Sequence, residues 1–360
     1  MIAAILISYV AVMFVFLRKQ TIKYEQTNPE QALPLSVLIP FRGSVSELSG
    51  LLNDLNNQDY PLENVEVLII NDSEQPLHLA TKSFRFSLQI IDSLARKGKK
   101  AAIDLGVSTA KNEHILSLDA DVRLKATHLS GFSQAFAAGN DVVVGVLHYN
   151  ELPKNFSNYF EYYEYYGMQA VTQASVLFGN SLLCSGANLG FTKATYVKTR
   201  AIRTDFELES GDDMFLLQAA KKLKLKIFLA SGQSSSALLN YQTNLQAVLA
   251  QRIRWGAKSV VYKDVSVIAF TLLVAAAVWQ YPALKAQAEA GSAYAARIGC
   301  SCRYVQGRPL DSCTTDFEPG MEIVSISDDP ATRTVTGSVP LLASRSARFA
   351  GASGCLLVAE

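Results

Sequence analysis

Short apolar runs alternate with helix-period stretches through the first half of the chain, and that alternation restricts the fold more than any other property of the sequence. Leu35 to Pro40 (LSVLIP) is a mostly apolar run closed by proline, the pattern of a strand buried on both faces of a parallel sheet. Val45 to Asn57 then repeats leucine at Leu48, Leu51, Leu52 and Leu55, a helical spacing. Val65 to Ile70 predicts a second strand ending on Asn71-Asp72, and Ser87 to Ile91 a third. Lys99 to Ala110 predicts a helix, His114 to Leu118 a fourth strand ending on Asp119-Ala120-Asp121, and Asp141 to Val146 a fifth. The alternation implies an α/β fold, a doubly wound, mostly parallel sheet flanked by helices. Such sheets bind ligands beyond the carboxyl ends of their strands, where both acidic clusters fall.

Composition narrows the function. Lys+Arg 33 against Asp+Glu 32 gives a net charge of +1, which argues against a generic nucleic-acid binder. The mean hydropathy of +0.15 places the apolar excess in two segments. Residues 1–17 are uncharged and followed by Arg18, Lys19 and Lys23, which predicts a transmembrane signal anchor leaving the bulk of the chain in the cytoplasm. A buried core helix is the alternative. A linker over 18–33 would lead into a domain over 34–262, and residues 263–284, behind Lys258 and Lys263, read as a second span. Residues 285–360 form a tail, expected on the opposite side of the inner membrane.

Four clusters carry chemistry. Asp119 and Asp121, two residues apart at a strand end, can offer oxygens to a hard divalent cation such as magnesium or manganese, although Asp-x-Asp also begins ordinary turns. Asp72 can accept hydrogen bonds from a nucleobase or ribose, or simply close a turn. Asp212 and Asp213 precede an apolar helical stretch, as helix-capping acids do, and either can act as a general base toward a hydroxyl. In Gln251-Arg252-Ile253-Arg254-Trp255, Arg254 can clamp a diphosphate and Trp255 can offer a flat face to a sugar. The same stretch, Thr243 to Ser259, also reads as an amphipathic interfacial helix. The aromatic run Tyr159 to Tyr166 suits a sugar or lipid path as well as a packed helix face.

Taken in order, Pro40-x-Arg42, NDSE, RKGKKAAI, DAD, GAN, SGDD and QRIRW resemble the inverting family-2 glycosyltransferases of the GT-A fold, over about residues 33–262. The nearest likeness is to the cellulose synthase-like and ceramide glucosyltransferase-like branch. The resemblance implies a UDP-sugar donor and a lipid or polysaccharide acceptor. Pro40, Arg42 and Asp72 would form the nucleobase pocket and Lys100 would approach the nucleotide. Asp119 and Asp121 would bind the metal and diphosphate, and Gly186, Ala187 and Asn188 would lie beside the donor sugar. It makes Asp213 the catalytic base, with Asp212 beside it to raise its pKa, and places Gln251, Arg254 and Trp255 near the diphosphate and the acceptor entrance. NDSE lacks the Gly-Ser-x-Asp continuation and PFRGS the Asn-Glu common in the family, which blurs nucleobase preference. An inactive nucleotide-sugar-binding remnant is the alternative, because this branch usually continues through several more membrane helices.

From about Ala275 the composition shifts to alanine, glycine and serine, as a join of unrelated reading frames near residues 270–277 would produce. Cys300, Cys302, Cys313 and Cys355 are four of the five cysteines, and four allow two disulfides in three pairings. A zinc site is the other reading, weakened by the lack of histidine in the tail. Residues 279–357, from GCSCRYVQGRPLDSC to SGCLL, resemble the opening segment of β-lactamase-like serine hydrolases. No Ser-x-x-Lys nucleophile motif follows, so no hydrolase activity is expected.

Overall fold

The computed structural model describes residues 32–73, 75–79, 83–93, 98–203, 211–232, 234–242, 244–259, 264–340 and 342–358. The anchor expected over 1–17 and most of the linker after it lie outside those residues. Internal contacts separate a larger unit ending at Ala269 from a second that begins at Phe270.

In the larger unit the chain runs β1 (Leu35–Phe41), α1 (Val45–Asn56), β2 (Val65–Asn71), β3 (Ser87–Asp92), α2 (Lys99–Thr109), β4 (His114–Leu118), β5 (Arg123–Leu124) and α3 (His128–Ala137). It continues through β6 (Val142–Gly145), β7 (Leu147–Tyr149), α4 (Phe156–Leu177), β8 (Asn188–Thr192), α5 (Lys193–Arg200) and α6 (Asp212–Lys222). Then come β9 (Ile227–Ala230), β10 (Ala237–Leu239) and α7 (Leu245–Ser259). Seven strands form one sheet in the order β3-β2-β1-β4-β8-β6-β9, with β8 antiparallel to both neighbours and the remaining pairs parallel. A small sheet, β5-β10-β7, stands apart from it.

The period of two along each strand divides the core between the sheet's faces. Val37, Ile39, Val67 and Ile69 meet the α1 leucines and Phe132 and Phe136 of α3. Leu38, Leu68 and Ile70 meet Ile103 and Val107 of α2 and Leu216 and Leu217 of α6. Each fully buried leucine or isoleucine contributes about 2 kcal/mol. Strand order reverses between β1 and β4, which lie side by side, so the carboxyl-end crevice of a doubly wound sheet opens at Pro40 and Asp119.

The second unit contains most of α8 (Val265–Cys300), then α9 (Leu310–Cys313) and the antiparallel strands β11 (Ser325–Asp329), β12 (Thr334–Val339), β13 (Ala343–Phe349) and β14 (Cys355–Leu357). Among the described residues no helix is long and apolar enough to cross a membrane, so the span expected over 263–284 is not supported. The apolar run opens a 36-residue helix whose later turns carry Lys285, Glu289 and Arg297. Those turns pack on the sheet, Ala296 and Cys300 joining Val335, Ala347 and Cys355 in one core. The approach is close enough that a Cβ on Gly337 would lie 2.3 Å from the Ser292 carbonyl oxygen. The four tail cysteines pair as Cys300–Cys355 and Cys302–Cys313, which replaces the zinc reading with two disulfides.

Candidate active site

Parallel pairing places the ends of β1, β2 and β4 on one edge of the sheet. Phe41 stands opposite Asn71, so Arg42 and Asp72 leave adjacent strands side by side. Asp72 donates its backbone N–H to the Phe41 carbonyl at 2.9 Å. Both its carboxylate oxygens accept from the Gly98 N–H at 3.0 Å, which fixes the start of α2. Gly98 has φ 105°, a left-handed backbone that favours glycine.

The next residue, Lys99, turns toward the end of β4 and its ammonium donates to Asp119 Oδ1. Antiparallel β8 begins opposite the end of β4, with Leu118 facing Asn188, and this register brings Gly186 and Ala187 beside the Asp119 loop. A Cβ on Gly186 would lie 3.3 Å from the Lys99 ammonium and 3.4 Å from the Asp213 Cβ. Glycine is what lets the three groups meet. Asp213, in the first turn of α6, accepts from the Gly186 N–H at 2.9 Å through Oδ2 and from the Met214 N–H at 2.8 Å through Oδ1. Groups from β2, α2, β4, the approach to β8 and α6 therefore converge.

The cluster is acidic around the Lys99 ammonium. Burial opposes the charge on Lys99, yet Asp119, Asp212 and Asp213 together hold its pKa above the ordinary lysine value. Burial and the charge of Asp213 push Asp212 up to about 6, against the pull of Lys99 and Arg203. Burial, then the Asp119 charge, raise Asp121, with Glu47 adding to them. Cys184 is the free cysteine, and burial together with Asp213 and Asp212 keeps its thiol well above its usual range. The loop carrying Asp121 is braced from α1, because Arg123 makes a two-pronged pair with Asp54 at 2.6 and 2.7 Å.

Several residues named from the sequence stand elsewhere. Lys100 is buried, its ammonium 5.5 Å from the Phe215 ring centre, so Lys99 rather than Lys100 faces the acidic cluster. Asn188 is fully buried and does not face the cleft. Its amide donates to the carbonyls of Val146 at 3.0 Å and Ser235 at 3.1 Å, and a Cβ on Gly145 would collide with it at 2.3 Å. On α7, Arg254 lies on the exposed face beside Ile253, while Arg252 turns inward. Arg252 donates to Glu164 of α4 at 2.7 Å and to the Gln251 side chain. It also lies 4.4 Å from the Trp255 ring, which packs against the core, so one face of that indole is already covered. Along Tyr159 to Tyr166, Tyr165 is buried and within electrostatic reach of Asp119, whereas Tyr159, Tyr163 and Tyr166 are exposed. Lys99, Tyr165 and Arg252 lie within stretches singled out from the sequence, but none received a role of its own there. Each is one or two positions from a residue that was named, and only the helix rotation tells them apart.

Among the described residues no group of three or more His, Cys, Asp or Glu side chains forms a metal cage. Magnesium-like ions, however, usually take one or two carboxylates and complete their shell with water and phosphate. The mutually repelling pair Asp119 and Asp121 fits that need.

A switch-point cleft lined by strand-end carboxylates, in a mostly parallel sheet with one reversed strand, makes this an α/β protein with a GT-A-like fold. Residues 36–196 match the family described as Glycosyl transferase family 2. The fold is shared with the mannosyltransferase PcManGT from Pyrobaculum calidifontis, solved in complex with GDP-Man and Mn2+. The two are 14% identical, with a TM-score of 0.53 over 87% of this chain and 94% of that one. S. aureus TarS 1-349 in complex with UDP-GlcNAc aligns at 19% identity and a TM-score of 0.40, over 59% of this chain and 60% of that one. No curated protein matches the sequence.

Proposed function

We propose that the larger unit is an inverting glycosyltransferase that moves a sugar from a nucleoside diphosphate donor, UDP-linked by family resemblance, to a hydroxyl of a lipid or polysaccharide acceptor. The observation that carries this reading is the Lys99 ammonium, paired with Asp119 and lying beside Gly186 and Asp213. Diphosphate-side and acceptor-side carboxylates thus stand around one point.

Asp213 acts as the base. Two backbone N–H donors orient its carboxylate, and the lone pairs left over can take the proton of an acceptor hydroxyl. That oxygen forms its bond to the anomeric carbon on the face opposite the nucleotide while the bond from this carbon to the diphosphate oxygen breaks. The electron pair leaves with the diphosphate, and one displacement inverts the centre. Asp119 and Asp121 would hold a divalent cation, which when bound supplies positive charge to the leaving diphosphate. The Mn2+ held by PcManGT, which shares the fold, supports that assignment. Asp72 keeps lone pairs beyond its bond to Gly98 for the nucleobase end, with Pro40 and Arg42 alongside. The exposed rings of Tyr159, Tyr163 and Tyr166 support an acceptor path along α4. The uncharged run 1–17 with its following basic residues supports membrane attachment with this unit on the cytoplasmic side.

The test is release of nucleoside diphosphate from a panel of UDP- and GDP-sugars by full-length protein with manganese. Wild type should turn over at least one donor, and Asp213→Asn should bind UDP normally while losing turnover by about a thousandfold or more. A variant that keeps substantial turnover removes Asp213 from the base role. Donor binding by wild type without any turnover favours the inactive remnant.

A further inference from the structure

The Lys99 ammonium occupies the carboxylate that a divalent cation would need. It pairs with Asp119 Oδ1, and its backbone cannot retreat far, because Lys99 follows Gly98, whose N–H is bound by both oxygens of Asp72. On its other side the ammonium meets the Gly186 and Asp213 region, where a Cβ at position 186 would come within 3.3 Å of it. Among the described residues no second side chain makes a hydrogen bond or ion pair with the Asp119 carboxylate. A doubly charged ion on Asp119 would therefore face a like charge at contact distance, and the repulsion at that range is large in a partly desolvated cleft. A nucleoside diphosphate changes the balance, since its oxygens give the displaced ammonium a new partner.

We propose that Lys99 is a built-in competitor of the divalent cation for Asp119, so that the nucleotide-free protein binds the cation weakly and takes it up together with the donor. This rests on Asp119 being a cation ligand, as in the function proposed above. The ammonium serves as a place-holder that limits repulsion among Asp119, Asp121, Asp212 and Asp213 while the cleft is empty.

The experiment is titration of Mn2+ alone into full-length nucleotide-free protein, followed by the electron paramagnetic resonance signal of the free ion and repeated with saturating UDP. Lys99→Met should bind Mn2+ about tenfold or more tightly than wild type, a difference of about 1.4 kcal/mol. Lys99→Arg, which keeps the charge, should bind as weakly as wild type. Added UDP should tighten Mn2+ binding strongly in wild type and far less in Lys99→Met. Equal or weaker binding by Lys99→Met without nucleotide overturns the proposal, as does its failure to bind at all. Should Lys99→Met not fold, Lys99→Gln takes its place under the same criteria. Asp119→Asn separates this inference from the one beneath it. If Asp119→Asn lowers Mn2+ affinity but Lys99→Met does not raise it, only the competition fails. If Asp119→Asn binds Mn2+ as wild type does, Asp119 is not a cation ligand and both readings fail.

Discussion

Replacing Asp212 by asparagine should stabilise the protein increasingly as pH rises above about 4, with the full gain reached near neutral pH. The side chain is 6% exposed, and burial plus the adjacent Asp213 raise its pKa from 3.8 to about 6. The folded state therefore holds a proton on Asp212 across a window in which the unfolded chain has already lost it. Folded protein binds more protons between those two values, so stability falls as pH rises from about 3.8 to about 6, and the full penalty is present above that. The interval corresponds to about 3 kcal/mol. Asparagine carries no charge to desolvate and removes most of that cost. The gain over wild type should be near zero at pH 4 and grow through pH 5 and 6. It should level off near pH 7 at up to about 3 kcal/mol, or about 5 to 10 °C in melting temperature for a unit of this size. Of the two tryptophans, Trp279 is 80% exposed in α8, so a Trp279→Phe background leaves Trp255 to report on the larger unit. Thermal melts by fluorescence from pH 4 to pH 8 give the comparison. A pH-independent difference, or a variant less stable than wild type at pH 8, would refute the reasoning.

Other consequences follow from single contacts. Gly186→Ala needs the Lys99 ammonium and Asp213 to yield by a few tenths of an ångström. Melting temperature should change little, while kcat should fall about tenfold to a hundredfold; unchanged kcat would show that the approach at Gly186 is not used. Asn188→Ala removes two buried hydrogen bonds to the Val146 and Ser235 carbonyls, costing about 2 to 4 kcal/mol in denaturant melts, with donor KM unaltered in the protein that stays folded. A large KM rise instead would return Asn188 to the donor site. Removing the Cys300–Cys355 bridge, which closes 55 residues, should destabilise the second unit by about 4 kcal/mol. Loss of Cys302–Cys313, across 11 residues, should cost about 3 kcal/mol. Catalysis by the larger unit should survive both, as read by melts alongside nucleoside diphosphate release.

The strands that define the sheet were legible because they are apolar on both faces. β1, β2 and β4 start and stop within a residue of where their hydrophobic runs do. β8 was not legible. Its sequence, Asn188-Leu-Gly-Phe-Thr192, holds a polar residue and a glycine that are buried only because β4 and β6 flank it, a tertiary effect no local pattern records. At the site, strand-end carboxylates could be read from order and spacing, since a strand end has one direction. Helix-borne groups could not. Lys99 and Lys100 differ by 100° around α2, and Arg252 and Arg254 by twice that around α7, so choosing between neighbours needs the packing of each helix on the sheet. The second apolar segment was misleading for a related reason: hydropathy over 263–284 is blind to the charged turns and disulfide-linked sheet that receive the same helix further on.

Crystals of the protein grown with UDP and Mn2+, measured at the manganese absorption edge, test most directly whether these carboxylates share one nucleotide-sugar site. The anomalous peak should lie about 2.1 Å from carboxylate oxygens of Asp119 or Asp121, with the uracil beside Asp72 and the diphosphate reaching toward Asp213. Manganese bound away from Asp119 and Asp121, or UDP seated outside the cleft between β1 and β4, would contradict the account.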